Sequence, residues 1–360
     1  MHKKEYMKSR FFLEKIKIGN KIINRNSAPF IVAEVSANHR NSFQNIKDII
    51  DKAKINGADA IKFQTFDLDE MTINSKKKIF FLDNYFKIKS WNNRSLYDIY
   101  KEAQFPFNLH KKVFDYAKKK KIICFSSVFD EKSLNFLEKI KTPAYKVASL
   151  ESLHFPLIKK IKKTGKPMII STGTLTIYEI KILISFLKKI KFKNVILCHC
   201  VSEYPVKYED ANLDMIKYLK KYFNGIIGYS DHTIGLAAPV LAAHFGAKLI
   251  EKHFINSKLK KTLDSSFSSD PEEFRIIKKE THNSYIMSKK INKNIKSFNR
   301  KFRRSIFSTK IIRKGEKFSI KNIKIIRPGG GLEPRYYEFL INRRSKKNIP
   351  VNSPIRKIHL

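Results

Sequence analysis

The chain has 360 residues, with 74 Lys and Arg against 32 Asp and Glu and a formal net charge of +42. This length is sufficient for a large single-core domain plus a small one. Nucleic-acid-binding proteins share such a positive balance, but they concentrate it in a stripe interleaved with aromatic residues. Here the lysines are spread over almost every predicted helix. We therefore expect no nucleic-acid partner. We also expect the positive electrostatic field of the protein to attract a small anionic substrate.

Composition also bears on the cellular compartment. Cys124, Cys198 and Cys200 lie in apolar, strand-like runs, as reduced core cysteines of a cytosolic protein do. A metal site at Cys198-His199-Cys200 is disfavoured, because on a strand the histidine points away from both thiols and no second cysteine pair exists. Residues 1–17 lack the apolar core of a signal peptide. With no stretch that could span a bilayer, the sequence predicts a cytoplasmic protein without a membrane partner.

Apolar β-type runs alternate with amphipathic helical segments through most of the chain. The runs span residues 30–35, 60–63, 122–125, 144–148, 168–170, 195–200, 226–229 and 247–250. Gly57, Gly165 and Gly246 fall where helices end, as C-cap glycines do. This alternation of eight strand-like runs with helical segments predicts an α/β fold, a (β/α)8 TIM barrel. An open doubly wound sheet is the alternative, but it normally has fewer strands and a glycine-rich first turn, and no such turn follows Val35.

The predicted boundaries divide the chain into four parts. Residues 1–28 form a lead-in with a hairpin around Gly19-Asn20, and residues 29–283 form the barrel. Residues 284–302 are a polar linker, and residues 303–360 form a small β-rich domain whose core would be marginal alone. An insertion at residues 71–102, which contains Trp91, follows the second barrel strand. Long loops at this end of a barrel usually cover the active site.

Polar side chains follow the predicted strands at their C-terminal ends, where barrels carry catalytic residues. They include Glu34, Ser36, Lys62, Gln64, Ser127, Lys146, Ser149, Glu151, Ser171, Ser202, Tyr204, Ser230, His232, Glu251 and His253. Two lysines directed into a barrel need an anion beside them, and the hydroxyls around them suit a phosphate. Two alternatives stay open. In the first, Lys62 and Lys146 form structural ion pairs with Glu34 and Glu151. In the second, one of the lysines forms a Schiff base as in aldolases.

His232 and His253 end the last two predicted strands. Because side chains alternate along a strand, Ser230 and His232 share one face, and Glu251 and His253 share another. Two imidazoles on neighbouring strands can hold a divalent ion and leave coordination positions open for substrate. The sequence therefore predicts a metal site at this end of the barrel.

Six segments together resemble the sialic acid synthase family. They are Ala33-Glu34-Val35-Ser36-Ala37-Asn38-His39, Ile61-Lys62-Phe63-Gln64-Thr65, Ala144-Tyr145-Lys146-Val147-Ala148-Ser149-Leu150-Glu151, Ser171-Thr172-Gly173, Gly228-Tyr229-Ser230-Asp231-His232-Thr233 and Glu251-Lys252-His253-Phe254. Residues 303–360 are similar to the antifreeze-like (SAF) domain that ends those enzymes. Residues 36–39 and 96–103 resemble the branch that makes pseudaminate. The branches that make N-acetylneuraminate and legionaminate are the alternatives.

The resemblance implies a transferase that condenses phosphoenolpyruvate with 2,4-diacetamido-2,4,6-trideoxy-L-altrose and water, giving pseudaminate and phosphate by C–O cleavage. It implies a divalent ion, Mn²⁺ with Co²⁺ or Mg²⁺ as alternatives, bound by His232 and His253. It also implies a homodimer in which each SAF domain crosses to the partner. A non-catalytic relative would be expected to lose Glu34, Lys62 or His253, and all three are present.

The resemblance further implies a role for each candidate residue. The implied catalytic residues are Glu34, Lys62 and Gln64. The implied phosphoenolpyruvate-binding residues are Ser127, Lys146, Ser149, Ser171, Ser202 and Ser230. The implied sugar-binding residues are Glu151, Tyr204, Asp264 and Arg327, the last from the partner subunit. For sugar selectivity, we expect Ser36 to project into the substrate space, with Phe66, Phe105 and Phe107 as an apolar wall.

Overall fold

A computed structural model describes residues 11–81, 93–288 and 301–360 and divides the chain into two compact units, Met1–Lys289 and Lys290–Leu360. Trp91 and residues 289–300 of the predicted linker lie outside the described residues. The last helix of the first unit runs to Met287, so the first residues of the predicted linker are helical. Each unit is considered by itself below.

The first unit begins with the predicted hairpin, which is confirmed. Strands β1 (Lys15–Ile18) and β2 (Lys21–Asn24) pair antiparallel, and Gly19 turns the chain with a φ of +56°. Ile16 and Ile18 pack with residues that begin the barrel strands, such as Phe30. The hairpin therefore covers the N-terminal end of the barrel with apolar side chains.

Eight parallel strands close into a barrel, which confirms the predicted fold. They are β3 (Phe30–Glu34), β4 (Ala60–Thr65), β5 (Ile123–Val128), β6 (Tyr145–Val147), β7 (Met168–Ser171), β8 (Val195–His199), β9 (Ile226–Asp231) and β10 (Leu249–His253). Neighbours follow chain order, and β10 closes on β3. Strands β9 and β10 extend beyond their apolar runs, because the backbone ladder continues through polar residues such as Lys252 and Asp231.

Helices surround the barrel and cover its outer face. They are α1 (Phe43–Ile55), α2 (Leu68–Met71), α3 (Leu96–Ala103), α4 (Phe107–Lys119), α5 (Glu131–Lys139), α6 (Phe155–Lys163), α7 (Ile177–Lys189), α8 (Met215–Leu219), α9 (Ala237–His244) and α10 (Pro271–Met287). Gly57, Gly165 and Gly246 have φ values of +93°, +71° and +92°, as expected for residues that end helices. Among the described residues, no helix is both long and apolar enough to cross a membrane.

Two apolar layers hold this unit together. The larger lies between strands and helices, where residues such as Ile49 and Leu183 are fully buried. The smaller fills the barrel below the polar strand ends, with Val32 and Ile196 among its members. Each fully buried aliphatic side chain of this kind contributes roughly 1.5–3 kcal/mol. Both layers fix the strand ends from which the polar side chains project.

The second unit is small and β-rich. Strands β11 (Ser305–Ser308) and β12 (Ile323–Ile326) pair antiparallel, and a short helix, α11 (Tyr337–Leu340), follows. Ile306, Phe318 and Ile349 are buried in its core. Arg327 directly follows β12 and is exposed.

Candidate active site

A cluster of buried charges lies at the C-terminal strand ends. Lys146 Nζ donates to both carboxylate oxygens of Glu251 at 2.9 Å. Lys62 Nζ lies 2.7 Å from Glu34 Oε2 and 3.6 Å from Glu251 Oε1. The four residues come from four strands, three of them neighbours (β10, β3 and β4) and the fourth (β6) across the barrel, so only barrel closure brings them together. The cluster holds two cations and two anions inside the barrel.

Electrostatics distinguish the two carboxylates. Burial would raise the pKa of Glu251, but Lys146 and Lys62 outweigh it and lower the pKa to about 2. Burial dominates at Glu34 and raises its pKa, although Lys62 opposes the shift. Neither Glu34 oxygen accepts a directed hydrogen bond. Glu251 is therefore a fixed anion, whereas Glu34 is the more basic carboxylate and has capacity to accept a proton.

Hydroxyl groups surround these charges. Ser127 Oγ accepts a hydrogen bond from Lys62 Nζ at 2.8 Å, and Ser230 Oγ donates to Glu251 at 3.0 Å. Ser149 Oγ accepts from the backbone N–H of Gly173 at 2.9 Å. The Ser171 hydroxyl is buried without a hydrogen-bond partner. Two ammonium groups and several hydroxyls in one place form a setting that a phosphate can satisfy.

Gly173 allows the chain to pass close to this ring. A side chain there would lie 2.5 Å from the Cys200 sulfur and 2.6 Å from the Ser202 hydroxyl. Glycine is therefore required by the close approach of the β7 and β8 strand ends. The same approach brings Ser149 and Ser202 to one side of the mouth.

The two predicted histidines face each other. The ring centres of His232 and His253 are 5.5 Å apart. His232 Nδ1 donates to the carbonyl of Val201 at 2.7 Å, which leaves Nε2 with its lone pair. Burial, followed by the neighbouring His253, lowers the pKa of His232 to about 3. His232 is therefore neutral, as a metal ligand must be.

Three further predicted residues lie around this pair. Tyr204 packs its ring 4.3 Å from that of His232. Asp264 Oδ2 lies 3.6 Å from His253 Nδ1 and accepts from the backbone N–H of Ala37 at 3.1 Å. The Ser36 hydroxyl also bonds to Asp264. Asp264 thus ties the loop after β3 to the end of β10.

A second buried ion pair lies behind the histidines. Lys252 Nζ and Asp231 Oδ2 are 2.6 Å apart, and both side chains are fully buried. Asp231 Oδ1 also accepts from Thr233 N, Thr233 Oγ1 and Tyr229 Oη at 2.9, 2.8 and 3.1 Å. Asp231 and Lys252 directly precede His232 and His253 on paired strands. The pair therefore fixes the two strand ends from the outer face.

The two histidines fit a divalent ion as a partial ligand set. His253 Nδ1 is buried without a hydrogen bond, and His232 Nε2 has a lone pair available. Within the described ranges, no three His, Cys, Asp or Glu side chains form a complete metal site. The protein therefore supplies two imidazoles, and the remaining positions suit oxygen atoms of substrate or water.

The structure also shows what the sequence missed. Glu251 is the partner of both lysines, whereas the structural alternative drawn from the sequence pairs Lys146 with Glu151.

The expected apolar wall is wrong for Phe105 and Phe107. Phe105 stacks on Phe63 in the layer between barrel and helices, and Phe107 packs beside His110. Phe105 belongs to the core, whereas Phe107, at the start of α4, is half-buried against Phe136 of α5.

The remaining predicted residues lie apart from the charge cluster. Gln64 follows Lys62 on the same face of β4 and is half-buried. Glu151 lies in the turn after β6, and one of its oxygens is buried without a partner. Arg327 belongs to the second unit and is exposed. His39 is buried and donates to the carbonyl of Ala103, so it anchors a loop.

Comparisons with known proteins bear on the whole chain. The profile of the NeuB family matches residues 49–293, and that of the SAF domain matches residues 303–360. The chain is 38% identical to a pseudaminic acid synthase of Campylobacter jejuni, over 95% of this chain and 99% of that protein. It is 30% identical to the N,N'-diacetyllegionaminic acid synthase of Legionella pneumophila, over 92% and 94% of the two chains.

A solved structure agrees with these matches. The N-acetylneuraminic acid synthetase of Leptospira borgpetersenii, crystallised with citrate, superposes with a TM-score of 0.69. It is 31% identical and covers 79% of this chain and 93% of its own.

Proposed function

Because the chain belongs to the NeuB family and ends in a SAF domain, we propose that it is a phosphoenolpyruvate-dependent transferase that makes pseudaminate. Its substrates are phosphoenolpyruvate, 2,4-diacetamido-2,4,6-trideoxy-L-altrose and water, and its products are pseudaminate and phosphate. The observation that carries the proposal is the buried cluster of Lys62, Lys146 and Glu251 with hydroxyls around it. Both substrates are soluble metabolites, so we place the reaction in the cytoplasm.

Lys62 and Lys146 bind the anionic groups of phosphoenolpyruvate. Glu251 holds Lys146 in place and keeps it charged: burial alone would lower the pKa of Lys146, but Glu251 reverses the shift and raises it. Ser127 and Ser230 add hydrogen bonds at the same depth, and Ser171 offers a hydroxyl without a partner. Charge-assisted hydrogen bonds in a buried site bind such an anion strongly.

Glu34 accepts the proton of the attacking water. Carbon–carbon bond formation between C3 of phosphoenolpyruvate and the sugar aldehyde leaves a cationic centre at C2, and water adds there before phosphate leaves by C–O cleavage. The raised pKa of Glu34 suits a general base at neutral pH. Lys62, 2.7 Å away, stabilises the anionic form before the proton arrives. Gln64, on the same strand face, helps to position the substrate.

His232 and His253 would hold a divalent ion, most suitably Mn²⁺, with Co²⁺ or Mg²⁺ as alternatives. When bound, this ion supplies Lewis acidity at the sugar aldehyde. Asp264 lies 3.6 Å from His253 and orients its ring, and Tyr204 packs against His232. Tyr204 and Asp264 then contact the sugar around this position, and Glu151 contacts it from the turn after β6.

Related sugar acids are the second candidate products. The legionaminate synthase named above aligns with nearly the whole of this chain, and the N-acetylneuraminic acid synthetase superposes on 79% of it. The higher identity to the pseudaminic acid synthase favours the diacetamido altrose sugar. A panel of aldehyde sugars separates these candidates directly.

The test is to incubate the purified full chain with phosphoenolpyruvate, Mn²⁺ and the sugar panel, and to follow phosphate release. We expect the diacetamido altrose sugar to have the highest kcat/KM, exceeding that of N-acetylmannosamine by at least about two orders of magnitude. In water labelled with heavy oxygen, the label should appear at C2 of the sugar acid and not in phosphate. Label in the phosphate would contradict C–O cleavage.

Metal dependence is tested on the same preparation. Chelation should abolish activity and Mn²⁺ should restore it, because only two imidazoles hold the ion. His253→Ala should lose about one equivalent of bound Mn²⁺, measured by mass spectrometry of the metal, and remain folded. His244→Ala is the matched control, because His244 is exposed on α9. Full activity after chelation would contradict the metal proposal.

A further inference from the structure

Helix α3 is fixed over the mouth of the barrel. His39 Nε2 donates to the carbonyl of Ala103 at 3.1 Å, and Gln104 Nε2 donates to the carbonyl of Phe66 at 3.1 Å. Ile99 of this helix is buried. The helix therefore has a defined position beside the ends of β3 and β4, and its side chains are fixed relative to the site.

Tyr100 is the half-buried side chain of α3 that packs at the C-terminal end of β4. Its ring packs edge-on against Phe66, with centroids 5.8 Å apart, and Phe66 in turn contacts Phe129 at 5.7 Å. Its hydroxyl makes no hydrogen bond within the described part of the chain. Burial, and then the nearby Glu151 carboxylate, raise the pKa of Tyr100. A protonated hydroxyl donor thus lies beside a carboxylate without being bonded to it.

Glu151 reaches the same place from the opposite direction. It lies in the turn Ser149–Glu151 that follows β6, and its Oε2 is buried without a hydrogen bond. Burial raises the pKa of Glu151 to about 7. An unmet buried acceptor costs about 1–3 kcal/mol, so a donor on a ligand would be bound favourably here.

The chemistry of this pair matches an acetamido group. Such a group has one N–H, which the Glu151 oxygen accepts, and one carbonyl, to which the Tyr100 hydroxyl donates. Its methyl group can pack against Phe129, which is half-buried beside Phe66. A sugar hydroxyl in its place has a single oxygen bonded directly to C4, and it lacks both the carbonyl that extends further from the ring and the methyl group.

Position in the barrel indicates which acetamido group is bound. Strand β6, which carries Glu151, lies opposite β10 in the circle, with three strands between them on either side. The proposed function places the aldehyde carbon by His232 and His253, at the ends of β9 and β10. The substituent on the adjacent C2 stays near the histidines, whereas that on C4 extends across the mouth.

We propose that Tyr100 is a specificity-determining residue which, with Glu151, binds the 4-acetamido group of the sugar. This inference rests on the proposed function and names the part of the site that selects the diacetamido substrate. The sequence predicts that Ser36 contacts an acetamido group and that a phenylalanine wall contacts the 6-deoxy methyl group. Ser36 is instead bonded to Asp264, and only Phe66 of the three phenylalanines borders this subsite.

The test compares Tyr100→Phe with the parent enzyme on two sugars that differ only at C4, one with acetamido and one with hydroxyl. We expect kcat/KM for the diacetamido sugar to fall about tenfold or more, mainly through KM, because the contact is the same before and during reaction. For the 4-hydroxy sugar we expect a change of less than about twofold. If its turnover is too slow, its inhibition constant is measured instead.

Three further variants test the assignment. Tyr116→Phe is the matched control, because it removes a tyrosine–carboxylate hydrogen bond of 2.8 Å to Asp51 in the outer helix layer. It should leave both sugars unaffected. Glu151→Leu should reproduce the selective loss, and Glu151→Gln, which keeps an acceptor oxygen, should restore part of it.

Equal loss on both sugars, or no loss on either, would overturn the assignment of Tyr100. A parent enzyme that releases no phosphate with any sugar of the panel would instead contradict the proposed function. The two failures are therefore distinguishable. Thermal melting of each variant shows whether a loss comes from unfolding.

Discussion

Glu34 and Glu251 show how position alone separates two buried carboxylates. Glu251 is surrounded by Lys146, Lys62 and Ser230, so it has no capacity left for a proton near neutral pH. Glu34 has one lysine neighbour and no directed hydrogen bond. Glu34, which has fewer hydrogen-bond and ion-pair partners in the fold, is therefore the carboxylate available for the reaction.

Glu34→Gln tests this difference. The amide keeps the size and hydrogen-bonding capacity of the side chain but cannot accept a proton. Turnover should fall by about 10²- to 10⁴-fold, with KM for both substrates little changed. The measurement is steady-state kinetics of phosphate release. Glu203→Gln, on an exposed residue near the end of β8, is the control. A rise in KM at constant kcat would indicate a binding role instead.

Glu151 gives a prediction about stability and pH. Its folded pKa of about 7 lies above the ordinary value of 4.5, so its contribution is fully favourable below the ordinary value and is lost as pH rises through 7. Glu151→Gln removes this dependence. We expect the variant to melt at the same temperature as the parent at pH 4.5, and higher at pH 8.5. An equal difference at both pH values would show that ionisation is not the cause.

At the scale of elements, β9 and β10 depend on the buried pair Asp231–Lys252. Asp231→Asn leaves the Lys252 charge with only the carbonyl of Thr233, and should cost about 3–5 kcal/mol of unfolding free energy. Lys252→Met should cost less, because Asp231 keeps three other donors. Denaturant unfolding measures both. Equal costs would contradict this account of the pair.

The sequence predicts elements better than contacts across the barrel. Alternation along single strands correctly placed Ser230 with His232 and Glu251 with His253, because the period of a strand is local. The pairing of Lys146 with Glu251 depends on barrel closure, which joins residues 105 positions apart. Likewise, Phe105 and Phe107 follow the long insertion, and only the packing of α4 decides that Phe105 enters the core while Phe107 packs against α5.

At the scale of the whole molecule, the second unit presents Arg327 directly after β12, exposed and followed by Pro328 and three glycines. A guanidinium held in this way is suited to an anionic or polar ligand. We propose that it serves the barrel of the partner subunit in a homodimer. Because a planar, bidentate donor is not replaced by a methyl group, Arg327→Ala should lower activity strongly.

Mixed dimers test this proposal. Subunits carrying Arg327→Ala and Glu34→Gln are each expected to be nearly inactive alone. A dimer of the two contains one site with neither defect if Arg327 acts across subunits. The purified mixed dimer should then have about half the activity of the parent, and a random mixture of the two subunits about a quarter. Verified mixed dimers that stay inactive would show that Arg327 does not act on the partner's site.

The hairpin of β1 and β2 covers the N-terminal end of the barrel, so we expect substrates to enter at the opposite end. Lys62 and Lys146 lie on strands β4 and β6, whereas Glu151 lies in the turn after β6, nearer to that entrance. A sugar bound at the entrance would block the path of the anion, so we expect the two substrates to bind in a fixed order. Phosphoenolpyruvate enters first, and an unreactive sugar analogue added second should trap it. In pulse-chase experiments, labelled phosphoenolpyruvate should then exchange slowly with the unlabelled pool.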